Sequence, residues 1–150
     1  MYKITIVGAE TVNKNRIIQQ KRYGDKQKTL TICESNNRFD MADCDVVIFV
    51  FKMSDRSTFY SLEQFHRNFH SCRKQSCLSF LVGIQNNETP EVFVNDATNF
   101  AIGKQMSYTS VSTSEEINQL FERIIINLEK LPKTKTKGMP RPLSDRCIHQ

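Results

Sequence analysis

A glycine, a lysine and the five residues between them raise the first chemical question. The stretch Gly8-Ala-Glu-Thr-Val-Asn-Lys-Asn15 nearly reproduces G-x-x-x-x-G-K-[ST], a loop whose backbone N–H groups and lysine cradle phosphate. Gly8 holds the first place and Lys14 the lysine place. Asn13 stands where the second glycine belongs, and Asn15 where a magnesium-binding hydroxyl belongs. Asn tolerates positive φ better than most residues, but its side chain crowds a loop that must close around an anion. An amide oxygen at Asn15 is also a longer and differently aimed ligand than a hydroxyl.

Two further groupings could do chemistry. The chain ends Cys147-Ile-His-Gln150, which fits C-a-a-X with a terminal residue that suggests farnesylation of Cys147. His149 is a poor second "a" residue, and an unmodified tail fits the same four residues equally well. His66 and His70 are spaced i, i+4 near Cys72 and Cys77, as zinc ligands can be. No H-E-x-x-H glutamate accompanies them, so a solvated helix face is the expectation and no metal site is assigned. No serine or cysteine has a nearby base that would mark a catalytic nucleophile.

The elements that must position Gly8 and Lys14 are legible from hydropathy. Tyr2–Val7 reads as a buried strand, followed by a turn at Gly8 and a short helix from Asn13 to about Arg22. Gly24-Asp-Lys26 is a turn, and Lys28–Glu34 an edge strand at which Lys26 and Lys28 discourage pairing with another chain. Asp45–Phe51 contains six consecutive apolar residues, the mark of a parallel strand buried on both faces. Asp55 or Ser57 then opens a helix with Phe59, Leu62, Phe65, Phe69 and Cys72 on one face. Leu78–Val82 is a strand closed by Gly83. Asn95 or Asp96 opens a helix carrying Ala97, Phe100 and Ala101, and Met106–Val111 is the last strand. Thr113-Ser-Glu-Glu116 is a capping box for a helix with Ile117, Leu120, Phe121, Ile124, Ile125 and Leu128 on one stripe, which Pro132 ends.

Strands alternating with helices predict an α/β fold, with a mostly parallel sheet of about five strands and helices on both faces. Ligands of such sheets bind beyond the carboxyl ends of the strands. Gly8, Lys52–Asp55, Ile84–Asn87 and Ser110–Ser112 would share that rim. Residues 1–131 form one domain and 132–150 a flexible basic tail. The tail region from Lys130 holds six basic residues against one acidic, which accounts for the whole net charge of +5. The body is neutral, which argues against nucleic acid as a partner and for an anionic membrane surface touched by the tail. Five scattered cysteines without a C-x-x-C pair suit a reduced compartment. The expected location is cytoplasmic, peripheral on membrane through the tail.

With these residues in view, the chain resembles a Ras-superfamily small GTPase, most of all the Rab branch, over residues 3–130. Ala42-Asp-Cys-Asp-Val-Val-Ile-Phe-Val-Phe-Lys-Met-Ser-Asp-Arg-Ser-Thr-Phe-Tyr-Ser-Leu62 is similar to A-D-x-x-I-L-V-Y-D-x-T-D-R-x-S-F-x-x-L. Val82-Gly-Ile-Gln-Asn-Asn87 lies on the guanine-reading V-G-N-K-x-D, and Thr109-Ser-Val-Ser-Thr-Ser-Glu-Glu-Ile117 on T-S-A-K-T-G-E-N-I. The resemblance implies a P-loop fold. It also implies GTP or GDP with Mg²⁺ as ligands, and nucleotide-binding positions at Gly8, Asn13, Lys14, Asn15, Asn87, Ser110 and Val111.

The departures from the family pattern fall on contacting positions. Ile84 replaces the asparagine, Gln85 the lysine, and Asn87 the aspartate that accepts two hydrogen bonds from guanine. One guanine N–H would then meet a mismatched group, at a cost of about 1–3 kcal/mol. Ser112 replaces the lysine of the third motif. Cys33-Glu-Ser-Asn-Asn37 stands for D-T-A-G, with Glu34 in the aspartate place. Only 31 residues lie between Lys14 and Val46, fewer than the family uses for both switches and their helices. Phe39–Ala42 is therefore expected to pass straight into the next strand, leaving no room for the helix that follows switch II. No catalytic residue is assigned, and the expected role leans away from hydrolysis. Three functional readings stand: a non-hydrolysing scaffold or adaptor in membrane traffic or signalling, a divergent GTP-binding protein with weak affinity, and a switchless subunit of a larger complex.

Overall fold

The computed structural model describes residues 2–12, 14, 17 and 30–131. Of the expected helix from Asn13 to Arg22 only Lys14 and Ile17 are described; the Gly24 turn, Lys28, the tail and Cys147 lie outside the described residues, as do Asn13 and Asn15.

Five strands form one sheet: β1 (Tyr2–Val7), β2 (Leu30–Glu34), β3 (Val46–Lys52), β4 (Leu78–Ile84) and β5 (Ser107–Val111). Their order is β2-β1-β3-β4-β5 and every pairing is parallel. The described helices are α1 (Arg38–Ala42), α2 (Arg56–Tyr60), α3 (Leu62–Cys72), α4 (Val94–Gly103) and α5 (Ser114–Lys130).

The period of two along each strand divides the core into two layers. Ile4, Ile6, Val46, Ile48, Val50, Phe80 and Val82 pack with Ile117, Leu120, Phe121, Ile124 and Leu128 of α5. Val7, Val47, Phe49, Phe51 and Leu81 face the other way, onto Met41, Leu62, Phe69, Ala97 and Ala101. This double burial is what the unbroken apolar run of β3 requires, and it bears out the expected α/β sheet.

Four local expectations change. Phe39–Ala42 is itself helical: α1 spans Arg38–Ala42, capped by the Asn37 side chain, which accepts from Phe39 N at 2.6 Å. One turn fits because Met41 alone needs burial. β4 does not stop before Gly83 but runs through it to Ile84, and a Cβ at Gly83 would meet Phe51 Cζ at 2.8 Å. Helix α4 starts at Val94 with Phe93 as its N-cap, ahead of Asn95 and Asp96. The Glu91 and Val92 amides both donate to Met53 O, which sets the chain's direction just before it. The helix after Asp55 is divided at Ser61, whose hydroxyl donates back to Thr58 O at 2.9 Å. Asp55 is its cap, as the sequence offered. The Thr113–Glu116 capping box forms in full.

The chain turns to opposite sides of the sheet after β1 and after β3, so their carboxyl ends are the switch point. Gly8 sits there. A Cβ on Gly8 would lie 2.6 Å from Val50 O, a backbone atom that can yield only if the central strands part. Gly8→Ala is therefore expected to cost about 1–3 kcal/mol, measurable as a lower urea midpoint. This requirement is independent of any phosphate.

Candidate functional site

The rim at the carboxyl ends of the strands has two halves. In the first, β1 delivers Gly8 and β2 delivers Glu34, because the parallel register sets Ile6 beside Glu34. Lys14 folds back beneath the loop and is only 3% exposed. Its ammonium donates to Gly8 O at 3.1 Å and Ala9 O at 2.8 Å, and lies 3.4 Å from the Glu34 carboxylate. The loop backbone also closes on itself: Val12 N donates to Ala9 O and Lys14 N to Val12 O. An N–H used this way does not point outward as a phosphate cradle requires.

The connection from β2 to α1 is three residues, 35–37, each tied down. Ser35 N donates to Ile6 O, continuing the β1–β2 ladder. Asn36 extends it by side chain, with Oδ1 accepting from Gly8 N and Nδ2 donating to Gly8 O, both at 3.1 Å. Asn37 then caps α1. Asn36 is a residue that sequence reasoning missed. Its only signal was its place two residues after the Glu34 that matches the family's aspartate.

The second half of the rim lies at the ends of β4 and β5, joined by the pairs Gly83 with Ser110 and Ile84 with Val111. Ile84 is 6% exposed and packs in the core layer that includes Val12, Ile17 and Val111. A hydrocarbon thus stands where the resemblance would put an asparagine. Asn87 is exposed in the loop, Ser110 is exposed, and Val111 is buried with its carbonyl accepting from Gln85 N. Around them the polar groups serve the loops. Asn86 Oδ1 accepts from Glu88 N, and Glu88 Oε1 accepts from the Ser54 hydroxyl. Glu116 Oε1 accepts from Ser112 N, Ser112 Oγ and Thr113 N. These donors, the Ser112 amide foremost, hold the Glu116 carboxyl below its ordinary pKa.

Among the described residues, no group of three or more His, Cys, Asp or Glu side chains is arranged to hold a metal. The histidine pair differs from expectation. His70 is exposed but His66 is buried, its ring against Phe49, Phe69 and Phe100. The helix face read as solvated is covered by α4 and β3 at that point. No described helix is long and apolar enough to cross a membrane.

The described residues do not fit a guanine nucleotide well. Lys14 is matched by a carboxylate, its own N–H is used within the loop, and Ile84 offers no polar group to a base. The ancestry is nevertheless clear. No individual curated protein matches the sequence. The model of the Ras family matches residues 11–130, four fifths of the chain. Guanine nucleotide and Mg²⁺ are general ligands of that family. With the all-parallel five-stranded sheet and the Gly8–Lys14 loop at its switch point, the chain belongs to the Ras family, in the small-GTPase fold.

Proposed function

We propose that this protein is a Rab-like member of the family that has left the nucleotide cycle and acts as a fixed protein-binding scaffold in membrane traffic or signalling. The observation that carries this reading is the three-residue connection 35–37, held by Ile6 O, by both backbone groups of Gly8 and by the α1 cap. A nucleotide switch needs a segment with two arrangements, and this one has every polar anchor of a single arrangement. The Lys14–Glu34 pair and the buried Ile84 support the same conclusion. The basic tail and Cys147 would add a membrane contact, by lipid or by charge alone.

The test is thermal. Adding GTP or GDP with Mg²⁺ to the purified protein is expected to leave its Tm unchanged. A ligand at about 100 times its Kd would contribute roughly 2.7 kcal/mol, a shift of several degrees. A saturable rise that inorganic phosphate does not reproduce would overturn the scaffold reading and establish weak GTP binding through Gly8 and Lys14. One observation favours the related reading of a subunit in a larger complex. Phe39, beside the pinned connection, is 84% exposed, as an interface residue would be before its partner arrives.

A further inference from the structure

A cleft of about 310 Å³ lies between α3 and the turn that leads from α4 into β5. It shares no residue with the nucleotide rim. Its lining includes Glu63, His66, Arg67, His70, Arg73 and Lys104. That makes three fixed cations against one carboxylate, on a body whose basic and acidic residues balance overall. Glu63 is already shared, with Lys104 Nζ at 3.1 Å and Arg67 NH2 at 3.8 Å. The surplus is therefore positive.

His66 lies at the cleft's wall and is only 7% exposed. Among the described residues neither of its ring nitrogens has a hydrogen-bond partner. Its neighbours are the rings of Phe49, Phe69 and Phe100, which cannot accept as an oxygen does, and the ring of His70 at 6.0 Å. Buried polar groups in folded proteins are as a rule satisfied, and an imidazole left bare beside cations is an exception that a bound anion would remove. The positive character is felt at the ring: burial first, then Lys104 and His70, push the His66 pKa down to about 4.

We propose that the α3–α4 cleft binds a phosphomonoester group, with His66 N–H, Lys104 and Arg67 as donors to its oxygens. A tetrahedral dianion suits this set better than a carboxylate. It offers three terminal oxygens to donors on α3 and on the turn that follows α4, and charge-assisted bonds of this kind are the strong ones. Arg73 holds the wall instead, its guanidinium donating to Cys77 O at 2.6 Å and lying over the Phe69 ring at 5.1 Å. The volume is at the lower end of small-ligand sites.

The test follows the ring protons of His66 by NMR while inorganic phosphate is added, with sodium chloride at equal ionic strength as the control. Phosphate is expected to give a saturable shift that chloride does not reproduce. Lys104→Gln should weaken it about tenfold or more, the loss of one charge-assisted hydrogen bond. His66→Phe, which keeps the aromatic packing, should also weaken it, read from the Arg67 and Lys104 resonances. Glu63→Gln removes the competing carboxylate and should tighten it. A linear response, an equal response to chloride, or full binding by Lys104→Gln would overturn the site. Glucose 6-phosphate and a phosphoserine peptide then separate the sources. Tighter binding of the sugar phosphate assigns a free metabolite, and tighter binding of the peptide assigns a phosphorylated protein.

Discussion

Replacing Lys14 by alanine is expected to lower folding stability by about 3 kcal/mol in the complete absence of nucleotide. Removing one partner of a buried ion pair typically costs about 3–5 kcal/mol. The lower end applies because Glu34 is 44% exposed and water can take up part of its charge. The loss has three sources. The Ala9 carbonyl loses its bond from Lys14 at 2.8 Å, the Gly8 carbonyl keeps only Asn36, and the four-carbon stem leaves a void beneath the loop. Lys14→Met separates these effects, since it fills the void and restores no hydrogen bond, so it should recover about 1 kcal/mol. The measurement is urea unfolding of the wild type and both variants without nucleotide or Mg²⁺. If Lys14→Ala unfolds at the wild-type midpoint, the lysine is kept for a ligand. A cycle with Glu34→Gln then gives the coupling between the two charges directly.

That pair marks the boundary of what the sequence can say. Gly8 and Lys14 stood out because a spacing of six is a local pattern. β3 stood out because six apolar residues in a row leave no polar face. The Thr113 box was legible for the same reason, since cap and Glu116 are three residues apart. The partners of Lys14 and Gly8 are not local. Glu34 and Asn36 arrive from 20 and 28 residues away, through the register of two parallel strands, and no periodicity encodes a register between separate segments. Helix α1 escaped because a single turn with one buried residue has no period to detect. His66 escaped for a related reason: a polar residue four before another polar residue reads as solvent-facing until Phe100 of α4 and Phe49 of β3 close over it.

That closure gives His66 the second large effect, a loss of stability on mild acidification. In the folded protein its pKa is pushed from 6.5 down to about 4. Burial is the main cause, helped by the positive charge of Lys104 at the end of α4 and by His70 and Arg73. Glu63 opposes them. The unfolded chain has no such environment and takes its proton near pH 6.5. Above pH 6.5 the group is neutral in both states and contributes no pH dependence. Between pH 6.5 and 4 the unfolded chain binds a proton that the folded chain refuses, so stability falls as pH falls. Below about 4 both states are charged and the loss is complete, up to about 3 kcal/mol. Urea unfolding at pH 7 and pH 4.5 is the measurement, with His66→Phe as reference. Asp43, Asp55 and Glu116, whose folded pKa values are also lowered, weaken both proteins alike in acid. The wild type should lose about 2–3 kcal/mol more than His66→Phe over that interval. Parallel losses would mean that the ring is already charged or solvated in the folded state. The buffer must be free of phosphate, because an anion held beside Lys104 would offset the repulsion, raise the folded pKa and shrink the very difference being measured.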